Sequence, residues 1–480
     1  MPTTIQPTRT GFRGPLAGRA SYVEAPPMWR ATSVQACGLW PFGVASGAPT
    51  IGTPIGRHID NGATVCFDPI SWFSRAQLIS TPIEYILGKP GLGKSTFVRR
   101  QVIGAAAQGV TPLILGDLRP DYVDVVRALG GQVLQLGRGL GSLNPLDVGA
   151  LGAIIPQLDE RAADQVRAEV HGRRLHMVAS LVELVRGNRV SDHEETILSA
   201  AIRILDRRFE GHSAPLLSDL IALIDEGPDE LRRYTLSRGS DEAYRAAVDP
   251  LHLSLLATID GAFGDVFARP STVHIDADAT AVCIDVSALP LHDKRLTAAV
   301  LLASWNHGFG AIEASNKLAD AGLAPQKRFF VVMDELWRVL RHGLVQRLDE
   351  MTRINREWAT ACAYITHSSL DAETADRPED RAAARGFIER AGAVVEFGLP
   401  RREVDDLGQI VDHSSAERRR LTEWSAPGAW NHAEGTQEPP PGQGKCLIKV
   451  GSRPGIPTQV MLTEAEKLAG VHNTNRRWQE

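Results

Sequence analysis

Between residues 83 and 135 short apolar runs alternate with amphipathic stretches. Ile83–Leu87 reads as a strand, Ser95 to Ala107 as a helix and TPLILGD as a second strand. Tyr122–Leu129 then reads as a helix and GQVLQLG as a third strand. A β-α-β-α-β order predicts a parallel sheet with helices on its faces, an α/β fold. From about Asp159 to Leu256 the pattern is helical almost throughout, and Ser191 with Glu194 makes a capping box. This stretch is expected to be an all-helical insertion. Strand patterns return in STVHIDADATAVCIDVSAL, and a long amphipathic helix follows Asp293. RFFVVMDEL, ATACAYITHSS and AGAVVEFGL are then three buried strands that extend the same sheet.

The ends of the chain read differently. The first 80 residues are rich in Pro, Gly and aromatics, and Asn61-Gly62 marks a hairpin. Residues 425–444, SAPGAWNHAEGTQEPPPGQG, are a flexible loop by composition. KCLIKVG and PTQVML are two further strands, and a last helix is capped by Thr463 with Glu466. The expected divisions are a tail and β-rich segment (1–80), a first motor part (81–158) and the helical insertion (159–268). A second motor part (269–424) and a C-terminal loop, strands and helix (425–480) complete them.

Composition narrows the class. The chain has 480 residues, of which 43% are hydrophobic and 23% charged, so wholesale disorder and fibrous repeats are excluded. The formal charge of −5 excludes a generally basic protein but leaves room for a local basic patch. Five cysteines (Cys37, Cys66, Cys283, Cys362, Cys446) are far apart, which argues against a disulfide framework or structural zinc and for a reducing compartment. His171 and His176 are spaced i,i+5, about 140° apart on a helix, and read as surface residues. No apolar run approaches about 18 residues, so no bilayer span is expected. Arg9, Arg13 and Arg19 open the chain without an acid, but without an amphipathic face either, and read as a tail.

Two motifs carry chemistry. Gly88-Lys89-Pro90-Gly91-Leu92-Gly93-Lys94-Ser95, followed by Thr96, fits the phosphate-loop pattern GxxxxGK[ST]. Its glycines let backbone N–H groups turn toward phosphate oxygens, and the helix N-terminus adds a favourable dipole. Lys94 is placed to bridge the β- and γ-phosphates of ATP, and Ser95 to ligate Mg²⁺. The run Phe329–Met333 then ends in Asp334-Glu335, putting an acidic pair at the carboxyl edge of the sheet. Asp334 suits Mg²⁺ and Glu335 suits activation of the attacking water, so the pair favours an ATPase over a phosphotransferase.

With these motifs in order, the chain resembles the ATPases of conjugative DNA transfer and type IV secretion (TraC/TrbE-like), within the HerA/FtsK superfamily of motors. The resemblance runs from about Gly52 to Trp478 and rests on LGKPGLGKST, LILGDLRPDY, ALGGQVLQLGRGLGSLNPLD, IDGAFGDVF and VVMDELWRVL. It implies a RecA-like P-loop NTPase with a parallel-rich central sheet, working as a homo-oligomeric ring, a hexamer in the superfamily. It also implies an acid near the nucleotide at Asp117, whose plainer reading is a cap ahead of Tyr122. Arg356, with Arg353 as second candidate, matches the arginine that reaches a neighbouring subunit's site; a solvated helical arginine is the plainer reading. Where the family commonly has Thr-Gln as a γ-phosphate sensor, this chain has Thr366-His367.

The resemblance implies ATP hydrolysis that powers assembly or substrate transfer, at the cytoplasmic face of a membrane and through membrane-embedded transfer components. DNA or a DNA–protein complex is the implied cargo. A DNA-translocating pump or coupling protein is the alternative within the superfamily, and a weakly hydrolysing nucleotide-binding scaffold the alternative outside it. The ~80 residues ahead of the motor are fewer than secretion relatives carry there, so that region's contribution is expected to be absent or supplied by a separate protein.

Overall fold

The computed structural model describes residues 49–210, 213–290, 292–336, 338, 358–368, 378–431 and 436–472. The N-terminal tail, Cys37, Arg353 and Arg356 lie outside them. An eleven-stranded sheet organises the described residues. Its strands are β1 (Pro54–His58), β2 (Thr64–Cys66), β3 (Ile83–Leu87), β4 (Thr111–Asp117), β5 (Gln132–Gln135), β6 (Val282–Asp285), β7 (Phe329–Met333), β8 (Thr360–Ile365) and β9 (Ala393–Glu396). A two-residue ladder joins β10 (Trp430–Asn431) to β11 (Thr436–Gln437), apart from the sheet. β12 (Lys445–Lys449) and β13 (Ile456–Val460) complete it, in the order β2-β1-β13-β12-β9-β3-β8-β7-β4-β6-β5.

From β9 to β5 every pairing is parallel. These strands are apolar on both faces because helices cover both. In β3, Tyr85 and Leu87 enter one core while Ile86 enters the other. In β7, Val331 and Met333 face the first and Phe330 and Val332 the second, as a two-residue period requires. The helix Lys94–Ala107 contributes Phe97, Val98 and Val102 to the second core. The helix Lys294–Asp320 packs Trp305 and Phe309 into the first.

The helices Glu160–Arg186, Asp192–Arg208, Leu217–Glu226 and Asp241–Ile259 occupy the stretch read as an insertion. They share the first core with the sheet, and residues 46–480 form one compact unit. Ser191 and Glu194 close a capping box, with Ser191 N donating to Glu194 Oε2 at 3.0 Å. His171 and His176 are half-buried between these helices, where His171 Nε2 lies 3.0 Å from Ser199 Oγ; the surface reading is corrected.

Three other expectations change. Residues 54–66 join the central sheet, because β1 pairs antiparallel with β13, and β12, β13, β1 and β2 extend that sheet past β9. The Asn61-Gly62 dipeptide does turn β1 into β2, with Gly62 at φ +71°. In STVHIDADATAVCIDVSAL only Val282–Asp285 is a strand. The alternation before it comes from a loop that tucks Val273 into the core while Thr272 N donates to the Ser142 carbonyl at 2.9 Å. Finally, the Gly/Pro-rich stretch 425–444 is tied to the phosphate loop, as set out below.

Burial has a cost at a carboxyl inside the sheet. Glu84 of β3 is fully buried, accepts a 3.1 Å hydrogen bond from Gln101 Nε2, and is pushed by desolvation up to about 8. The folded chain therefore keeps a proton that the unfolded chain releases near 4.5. The linkage favours the fold below that value and is lost as pH rises toward 8. Glu84→Gln is expected to raise the melting temperature at pH 7.5 and to change it little at pH 4.5. Equal shifts at both pH values, read by calorimetry, would contradict a buried neutral carboxyl.

Candidate functional site

The phosphate loop leaves β3 at Leu87 and enters the helix Lys94–Ala107. Gly88, Gly91 and Gly93 take φ of +145°, +81° and +107°, which side chains rarely tolerate. At Gly88 a Cβ would also lie 2.5 Å from the Cβ of Phe397. Gly93 caps the helix without any side-chain acceptor, so the first-turn N–H groups and the dipole face the loop's hollow. Lys94 is buried, and its Nζ donates to the carbonyls of Gly88 and, at 3.2 Å, of Lys89.

The loop is braced from the far side of the chain. Phe397 N donates to the Leu87 carbonyl (2.9 Å) and Lys89 N to that of Gly398 (3.1 Å). Lys89 Nζ donates to the Ser425 carbonyl (3.0 Å), and Gly444 N to the Leu92 carbonyl (2.9 Å). Ser425 and Gly444 belong to the stretch expected as a flexible loop; here both its ends hold the phosphate loop.

β8 lies between β3 and β7, so the carboxyl ends of all three meet at one edge. Asp334 and Glu335 follow β7 directly. Glu335 takes φ +56°, a left-handed conformation that a non-glycine residue holds only when its surroundings over-determine it. Its carboxylate sits 3.4 Å from His367 Nε2 and 3.4 Å from Arg338 Nε. His367 reaches it because Thr366 N donates to the Ile86 carbonyl (2.9 Å), carrying the end of β8 past β3. Asp334 Oδ1 accepts from Glu335 N (2.8 Å) and Oδ2 from the Tyr122 hydroxyl (3.2 Å). Burial, and then the Glu335 charge, raise Asp334 to about 6.

Asp117 ends β4 on the same edge. Its carboxyl accepts from Asp121 N (3.1 Å) and Tyr122 N (2.7 Å), and desolvation raises it to about 8. It shapes the turn into the helix Val123–Ala128. Asp121 meets Arg99 Nη2 at 3.1 Å.

The structure thus gathers Gly88 to Thr96, Asp334, Glu335 and His367 at one edge, with Asp117 one turn behind. Asp121, Tyr122 and Arg338 were not picked out from the sequence. The first two lie inside LILGDLRPDY, and their signal was an acid four residues past the strand end; Arg338 carried none beyond its i,i+3 spacing from Glu335. Among the described residues no three His, Cys, Asp or Glu side chains converge on a protein-only metal cage.

This architecture is shared with solved structures. The chain superposes on VirB4 of Thermoanaerobacter pseudethanolicus with a TM-score of 0.65 at 17% identity, over 88% of this chain and 99% of that one. It is also similar to the plasmid coupling protein TrwB in complex with ADP and Mg²⁺, with a TM-score of 0.50 at 12% identity, over 88% and 97%. No protein-family model matches the chain, and no curated protein does. The fold is therefore the mixed α/β, RecA-like fold of these structures, with a large, mostly parallel central sheet. Among the described residues no helix is long and apolar enough to cross a membrane.

Proposed function

We propose that this chain is an ATP-hydrolysing motor of a conjugation or type IV secretion-type apparatus, acting as a ring of identical subunits. The observation that carries the reading is the meeting of phosphate loop and acidic pair at one sheet edge, within a fold shared over nearly the whole length of VirB4. In this reading the β- and γ-phosphates of ATP lie against the loop N–H groups. Lys94 Nζ turns from the Gly88 and Lys89 carbonyls to phosphate oxygens. The Ser95 hydroxyl and Asp334 carboxylate are hard oxygen donors that would hold Mg²⁺, and the ion, when bound, would supply charge neutralisation at the phosphates. Glu335 accepts the proton of the attacking water, and His367 steadies its carboxylate from β8.

The likeness to TrwB favours a second reading, a DNA-translocating pump. Turnover of ATP that rises on adding double-stranded DNA supports the pump; turnover indifferent to DNA supports the secretion motor. Membrane-embedded transfer components are the partners the first reading calls for, at the cytoplasmic face.

The ring carries its own expected result. Arg356→Ala and Lys94→Ala are each expected to be inactive alone. Mixed, they form some interfaces that pair an intact loop with an intact arginine, and part of the ATPase activity should return. An arginine at such a site contributes on the order of 10³ or more in rate. Absence of recovery despite proven co-assembly argues against a site completed between subunits. Full activity of Arg356→Ala alone transfers the role to Arg353.

A further inference from the structure

The turn after β4 reaches a side chain assigned to Mg²⁺. Tyr122, fully buried, donates its hydroxyl to Asp334 Oδ2 at 3.2 Å. Asp117 accepts the backbone N–H of Tyr122 and of its neighbour Asp121, so one carboxyl fixes the turn that carries the phenol. Arg99 locks the arrangement from the phosphate-loop helix. It is 1% exposed, pairs with Asp121 at 3.1 Å, lies 5.9 Å from the Tyr122 ring centroid and donates to the Val471 carbonyl at 3.4 Å.

We propose that Tyr122 is a positioning residue of the metal site, orienting the Asp334 carboxylate. The chemistry is direct. A phenol that occupies one lone pair of Asp334 Oδ2 fixes how that carboxylate presents its remaining ones. Asp117, with its oxygens given to backbone N–H groups, builds the turn and leaves the metal side of the site to its neighbours. The inference rests on the nucleotide-site reading above.

The test uses the full chain and a fluorescent ATP analogue, with Mg²⁺ titrated in from an EDTA baseline. Tyr122→Phe is expected to raise the half-saturating Mg²⁺ concentration about tenfold, the lower end of what outer-sphere partners contribute. Metal-free binding should stay as in the parent, a pattern that loss of packing does not produce. Adding Tyr122→Phe to Asp334→Asn should give no further shift, because the phenol acts through that carboxylate. An unchanged Mg²⁺ midpoint overturns the proposal, as does a full second shift in the double variant or an equal loss of metal-free binding. A parent chain that binds no nucleotide at all removes the nucleotide-site reading and this inference together. A parent that binds with Mg²⁺, matched by its variants, removes only the inference.

Discussion

Lys94→Ala is expected to abolish tight nucleotide binding while leaving the protein folded. The Lys94 ammonium is buried at the mouth of the loop, where its tip donates to the carbonyls of Gly88 and Lys89. Those carbonyls belong to the loop itself, so the lysine contributes little to the cores that hold the sheet. Its loss forfeits charge-assisted bonds to phosphate, each roughly 1.5–3 kcal/mol, or about ten- to hundredfold in affinity. The melting temperature should move little, because the removed atoms lie outside both hydrophobic cores. Fluorescent-nucleotide titration beside thermal melting checks both halves. Parental affinity in Lys94→Ala would show that the glycine-rich turn is only a turn.

Glu335→Gln should bind ATP as the parent does and yet hydrolyse it more slowly by about 10²–10⁴-fold, the range of a lost general base. The amide keeps the shape that Arg338 and His367 surround but cannot take the water's proton. Asp334→Asn should do the reverse in kind, weakening Mg²⁺-dependent binding first. The division follows from geometry: Glu335 is held from the β8 side by His367, whereas Asp334 is held from the β4 side by Tyr122. Single-turnover hydrolysis and Mg²⁺ titration separate the two variants. Equal effects on binding from both would contradict the roles assigned.

The phosphate loop was legible because its chemistry is local: three glycines, a lysine and a serine between a strand and a helix need no partner to be read. The parallel core was legible too, since β3, β4, β7 and β8 are apolar at most of the positions that face either core. The sheet's extension was not. β1 finds β13 across some 400 residues, and nothing in either short strand names its partner. The stretch 425–444 was misread for a physical reason. Its glycines looked like freedom, but at Gly442 a Cβ would lie 2.2 Å from the Trp424 carbonyl oxygen. There glycine permits close packing against the segment that braces Lys89. Nor does sequence announce the left-handed Glu335 or the reach of Tyr122 to Asp334, because both depend on how three strand ends meet.

The central claim is that this edge hydrolyses ATP at sites completed between subunits. Phosphate release per subunit, measured across a range of protein concentrations with Mg²⁺ and ATP, tests it most directly. The account predicts Mg²⁺-dependent release whose rate per subunit climbs with concentration to a plateau as rings form. Release no greater than that of Lys94→Ala at every concentration would contradict it.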